Sequence, residues 1–292
     1  MRIDPDELAP LVALFDDRDS VVAALVDDRL ASYGPEVVRS LRNRAAREAD
    51  PARKADIIGR AQALNTTFRL ADFQDFATRT PGPLSLFEGS WIISSMLDYT
   101  LIRERYEALF FRCSQEYLAE ASDQRTGVEN IRILNHIFFH RLRFTLYDVQ
   151  LKEPQYALVS DALRTKNGNP FALSFLYLMI CQEAGLPVEL VCFPGGFIPV
   201  YVEGGKVLFY INIYRGGEIF LRDRLQAFLK AAGLQIDERM FRRRDESAML
   251  TLYLESLLYI HSRGRNDKLC SLLDRALGIL GPERYLTIDE QE

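Results

Sequence analysis

A change of hydrophobic period near the middle of this chain limits its fold more than any other feature. Upstream, apolar residues recur at helical spacing. After Gly185 come "LPVELVCFP", "FIPVYVE" and "KVLFYINIY", three short runs rich in β-branched and aromatic residues, the signature of strands. The last two are separated by Gly204 and Gly205, a pair suited to a two-residue hairpin turn. From Leu221 onward helical spacing returns. Three strand-length runs inside a helical chain predict a helix-rich α+β fold with one small antiparallel sheet.

The helical stretches carry their own punctuation. "DSVVAALVDDRLASYG" offers Asp19 and Ser20 as a cap, Val22, Leu25, Val26 and Leu30 as one apolar face, and Gly34 as a stop before Pro35 opens the next helix. With the residues before it, this hairpin reads as a single HEAT-like packing unit. "TRTPGPLS" at 78–85 breaks the helical pattern and suggests a boundary. Beyond it Ile102, Tyr106, Leu109, Phe110 and Cys113 fall on one helical stripe. At the far end "ESAMLTLYLESLLYIHSRG" and "NDKLCSLLDRALGILG" predict an antiparallel helix pair around Gly264. The expected organisation is a helical module over 1–80, a core with its preceding helices over 81–220, and a helical hairpin over 221–292.

Composition narrows the function classes. A net charge of −5 disfavours general binding to nucleic acid or anionic membranes, both of which need a positive field. The four cysteines, Cys113, Cys181, Cys192 and Cys270, lack CxxC spacing and read as reduced core thiols. The opening "MRIDPDELAPLVALFDD" carries acids where a signal peptide needs a basic and then an apolar stretch, and no run reaches the roughly 20 apolar residues of a membrane span. The cytoplasm is the expected compartment.

"NGNPFALSFLYLMICQEAGLPVELV", followed by "FPGGFIPVY" and "YINIYRGG", resembles the SirB-type branch of the transglutaminase-like superfamily. Upstream "LFEGSWIISSML" and "RILNHIFFHRLRF" extend the likeness, and the closing helix pair is similar to the tetratricopeptide-like tail of that branch. The resemblance implies a Cys-His-Asp triad in catalytic members, with the cysteine at the start of the core helix, where helix-end N–H groups favour a thiolate. It assigns those three positions to Pro170, Gly196 and Asn212. None can serve as nucleophile or base, and the three roles act as a unit, so no catalytic residue is expected. The frame would remain as a cleft bordered by Asn169, Gly195, Asn212, Tyr214 and Arg215, suited to a peptide or an anion. The expected role is binding of a protein or peptide, possible regulation included, with no cofactor and no metal. The alternative is a thiol-dependent amide hydrolase or acyltransferase with a relocated nucleophile, for which Cys192 lies closest to Gly196.

Other constellations have plainer readings. His136 and His140 share a helix face at i, i+4, but no glutamate follows as in HExxH and no third ligand is evident. Glu88 lies in an apolar setting and suits orientation of backbone or an arginine. Arg239, Arg242, Arg243 and Arg244 are bracketed by acids, and Arg39, Arg42, Arg44 and Arg47 line another helix, the usual look of solvated faces.

Overall fold

A computed structural model describes residues 5–15, 19–79, 82–122, 124–147, 150–193, 196–231, 233, 235 and 237–285. The chain forms two compact units, one built from residues up to Thr78 with Ser95–Leu101, the other from Arg79–Ser94 and from Ile102 onward.

The first unit contains α1 (Pro5–Ala13), α2 (Ser20–Ser32), α3 (Glu36–Arg47) and α4 (Pro51–Thr78). Asp19 caps α2 by accepting a hydrogen bond from the Val21 N–H at 2.8 Å. Val12, Leu30, Val37, Leu41, Ile57 and Ala61 meet in its core. Leu25, expected on the inner face of α2, is instead 63% exposed. It lies about 100° around the helix from the buried Val26, outside the seam that Val22, Val26 and Leu30 make at four-residue spacing.

The second unit receives α5 (Leu86–Leu97) through Ser94, followed by α6 (Arg103–Leu118) and α7 (Gly127–Asn135), which runs into a π-helical turn, His136–Arg141. Then come β1 (Thr145–Leu146), α8 (Val159–Thr165), β2 (Asn167–Gly168) and the core helix α9 (Pro170–Glu183). Every residue from Pro170 to Cys181 is buried, which explains why this helix is apolar on all sides.

The main sheet contains β3 (Val188–Phe193), β4 (Gly196–Glu203), β5 (Lys206–Asn212), β6 (Glu218–Phe220) and β7 (Arg243–Arg244), in the antiparallel order β6-β5-β4-β3-β7. It has five strands where the sequence pattern predicts three. The extra two contain three and two residues, too few to display a period. Gly204 and Gly205 have φ of 54° and 77°, the left-handed pair that a type I′ hairpin requires.

Helix α9 covers one face of the sheet, where Phe171 packs on Phe197 with ring centroids 5.1 Å apart. The other face carries Val191, Val200, Val202 and Tyr210 against Leu225 and Leu229 of α10 (Arg222–Ala231). Helices α11 (Glu246–Arg263) and α12 (Asp267–Leu280) close the unit. Tyr253 of α11 packs on Phe175 of α9 at 4.7 Å, and its hydroxyl accepts from the Val159 N–H at 2.9 Å while donating to the Ala157 carbonyl at 3.2 Å. Among the described residues no helix is long and apolar enough to cross a membrane.

Candidate functional site

Three segments frame the site. At the start of α9, Asn169 accepts from the Ala172 N–H at 2.8 Å through its side chain and donates its own N–H to the Tyr156 carbonyl at 2.8 Å. Pro170 follows at the first helical position, where a missing N–H has no cost. The segment before the cap is also fixed: Lys166 is left-handed at φ 64°, donates to the Cys113 sulfur at 3.3 Å, and sits 4.4 Å from the centre of the Phe144 ring. The second segment is the start of β4, where Gly196 pairs with Phe193 of β3.

The third segment is the end of β5. Asn212 lies across from Glu218 of β6, and the chain between them passes through a 3-10 turn, Ile213–Arg215, then Gly216 and Gly217 at φ 61° and 79°. Asn135 of α7 clamps this turn to the core helix. Its amide nitrogen donates to the Gly217 carbonyl at 2.6 Å, and its oxygen accepts from the Tyr177 hydroxyl at 2.8 Å.

Between these segments and α10 lies a concavity of about 440 Å³. Ser174, Phe197 and Asn212 lie on its walls, with Tyr214 and Phe228, 47% and 61% exposed, among the aromatic residues lining it. Its charged groups are Arg215, Glu218 and Arg224. Glu218 pairs with Arg224 at 2.7 Å and with Arg215 at 4.0 Å.

Of the residues named from sequence, Asn212, Tyr214 and Arg215 line this space together. Asn169 does not line it: it is fully buried, with its oxygen engaged in capping α9. Pro170 is likewise buried, and Gly195 lies outside the described residues. Sequence reasoning missed Ser174, Glu218, Arg224 and Phe228. On α10, Leu225 and Leu229 are buried while Phe228 beside them is exposed. The signal for Glu218 is its position, an acid directly after the double glycine.

The described lining of the concavity contains no cysteine and no histidine. Cys181 is buried in α9, and its thiol is pushed far above the usual range by burial. Burial also pushes the Cys192 thiol up to about 12, against the opposing charge of Arg244. Neither supplies a thiolate near neutral pH. The arrangement offers hydrogen bonds, apolar surface and an arginine pair sharing one carboxylate, which are means of binding.

Several of the remaining candidates have structural partners. Glu88 accepts two hydrogen bonds from the Arg103 guanidinium, at 2.8 and 2.6 Å, and Arg103 also reaches Glu107 at 2.8 Å. Both ends of this network are partly exposed, so Glu88→Gln is expected to cost less than about 1 kcal/mol in a urea titration. A loss of several kcal/mol would mean that Glu88 holds something beyond Arg103. His136 and His140 lie tilted with ring centroids 5.6 Å apart on the π-helical turn, both exposed, and among the described residues no group of three or more His, Cys, Asp or Glu could hold a metal. Arg243 pairs with Glu189 at 2.9 Å, Arg244 lies over the Tyr285 ring at 5.2 Å, and Arg44 pairs with Glu48 at 2.7 Å. The side chain of Arg239 lies outside the described residues.

A buried core helix on an antiparallel sheet defines this unit as an α+β domain. The chain belongs to the transglutaminase-like superfamily, whose family model matches residues 102–254. It is also similar to F-box only protein 21 of Mus musculus and of Homo sapiens, 23% identical over 105 residues in each case. Those 105 residues are 36% of this chain and 16% of either relative, so the chain spans only a small part of their length.

Proposed function

We propose that this protein is a non-catalytic, SirB-type member of the superfamily that binds a protein or peptide segment in the concavity beside α9. In this reading Pro170, Gly196 and Asn212 occupy the places of nucleophile, base and orienter, and the protein works by occupancy in the cytoplasm, in a regulatory role. The segments 1–80 and 221–292 supply further surface for partners. Loss of a triad as a whole removes covalent chemistry while leaving the substrate-sized recess. The observation that carries the proposal is the lining: aromatic rings still open to water around an amide and an arginine pair, without a thiol or imidazole. Rings left exposed at a recess gain most from being covered.

Site-specific photo-crosslinking tests it. Benzoylphenylalanine in place of Tyr214 or Phe228 is expected to capture a common polypeptide from native lysate, and the same group at the exposed Leu208, outside this recess, is not. Equal capture from all three sites, or from Leu208 alone, would count against the recess as the binding site.

A further inference from the structure

Resting on that binding role, we propose that the ligand is the C-terminal end of a polypeptide with an apolar last residue. Arg215 takes its α-carboxylate, and Phe197, Tyr214 and Phe228 take its side chain.

Charge sets the first term. Two cations and one anion line the recess, and the anion, Glu218, is committed to Arg224 at 2.7 Å. Arg215 meets Glu218 only at 4.0 Å, and its side chain is 68% exposed. A ligand with a single negative charge balances the lining and gives the Arg215 fork a bidentate partner. Size sets the second. A space of about 440 Å³ is at the small-ligand end of binding sites, room for roughly two or three residues.

Geometry distinguishes a chain end from an internal acidic residue. Tyr214 and Arg215 both line the one short recess, so an apolar wall and a cation serve the same ligand. In a C-terminal residue the carboxylate and the apolar side chain share one Cα and so fit together into that space. An internal aspartate or glutamate would carry its charge on a side chain and leave the neighbouring apolar contact to another residue. It would also need a path for the chain both in and out of a short recess. Asn212 completes the match, since its amide can donate to and accept from the last peptide group, which a fatty acid lacks. Capture of a terminal carboxylate is an established mode of peptide recognition.

The test is fluorescence anisotropy with the full chain and three fluorescein-labelled hexapeptides. One ends in phenylalanine as the free acid, one is its C-terminal amide, and one is an amide with glutamate beside an internal phenylalanine. The free acid is expected to bind at least tenfold more tightly than either amide, and Arg215→Gln to abolish that difference. Glu218→Gln removes the competing carboxylate and is expected to tighten free-acid binding or leave it unchanged. Circular dichroism checks that each variant is folded. Equal binding of acid and amide, lost in Phe228→Asp, would overturn the carboxylate while leaving the recess as a binding site. Equal binding of the internal glutamate peptide would overturn the chain end, as would weaker free-acid binding in Glu218→Gln. If no peptide binds and crosslinking from Tyr214 and Phe228 also fails, both this inference and the binding role fall.

Discussion

In the folded protein, iodoacetamide is expected to modify Cys192 at least about 10³ times more slowly at pH 8 than in the urea-unfolded chain. Burial moves this thiol from 9.0 to about 12, and three pKa units reduce the thiolate fraction by that factor before access is considered. Access widens the gap, because Cys192 is only 8% exposed on a strand facing the core. Cys113 and Cys181, both buried and both raised by burial, should follow it, and Cys270, which is partly exposed, should react first. Mass spectrometry of a time course separates the four sites. The rate at Cys192 should climb with pH through 9 and toward 12, where an unfolded thiol has already levelled off. The sign for stability is the same: above pH 9 the unfolded chain loses the proton more easily, so stability falls as pH rises toward 12. Fast labelling of folded Cys192 at neutral pH would revive the relocated-nucleophile reading and remove the main support for a binding role.

The second large effect concerns two neighbouring glycines. Gly217→Ala is expected to lower stability by about 3 kcal/mol in urea titration, and Gly216→Ala by about 1 kcal/mol. Both residues are left-handed, at 79° and 61°, so both substitutions carry the backbone strain of an L-residue there. A Cβ on Gly216 would meet nothing within 4 Å, whereas one on Gly217 would lie 2.2 Å from the Asn135 side-chain oxygen. Asn135 would have to move, breaking its bonds to the Gly217 carbonyl and the Tyr177 hydroxyl. Because that clamp holds the end of β5, Gly217→Ala should also weaken ligand binding in the recess under folded conditions. Similar losses at both glycines would show that the clamp contributes little.

How much could be read in advance depended on the range of the interactions involved. Asp19 and Asn169 were recognisable as caps because a cap bonds to an N–H two or three residues away. The strands β3 to β5 were recognisable because six to eight residues display a period, and the hairpin because two adjacent glycines select its turn. The strands β6 and β7 were hidden by their length, and Leu25 and Phe228 by sitting at the margin of an apolar stripe whose far edge depends on what packs there. Within the site, Asn212, Tyr214 and Arg215 could be named from the resemblance, but Ser174, Glu218, Arg224 and Phe228 could not.

Two things about this protein were therefore settled by its sequence alone. The local elements follow from hydrophobic period, caps and glycine turns, each written within a few residues. The side-chain chemistry at Pro170, Gly196 and Asn212 follows from their identities, since a proline, a glycine and an asparagine cannot exchange protons near neutral pH wherever they lie. The tertiary structure decided the rest, because it depends on residues far apart in the chain. Asn135 meets Gly217 across 82 positions, and Tyr253 meets Val159 across 94. The depth at which Cys192 is buried, and the sharing of Glu218 between two arginines beside an open aromatic recess, exist only once the sheet has closed against α9 and α10. Burial and electrostatic pairing act through space, and no local pattern encodes them.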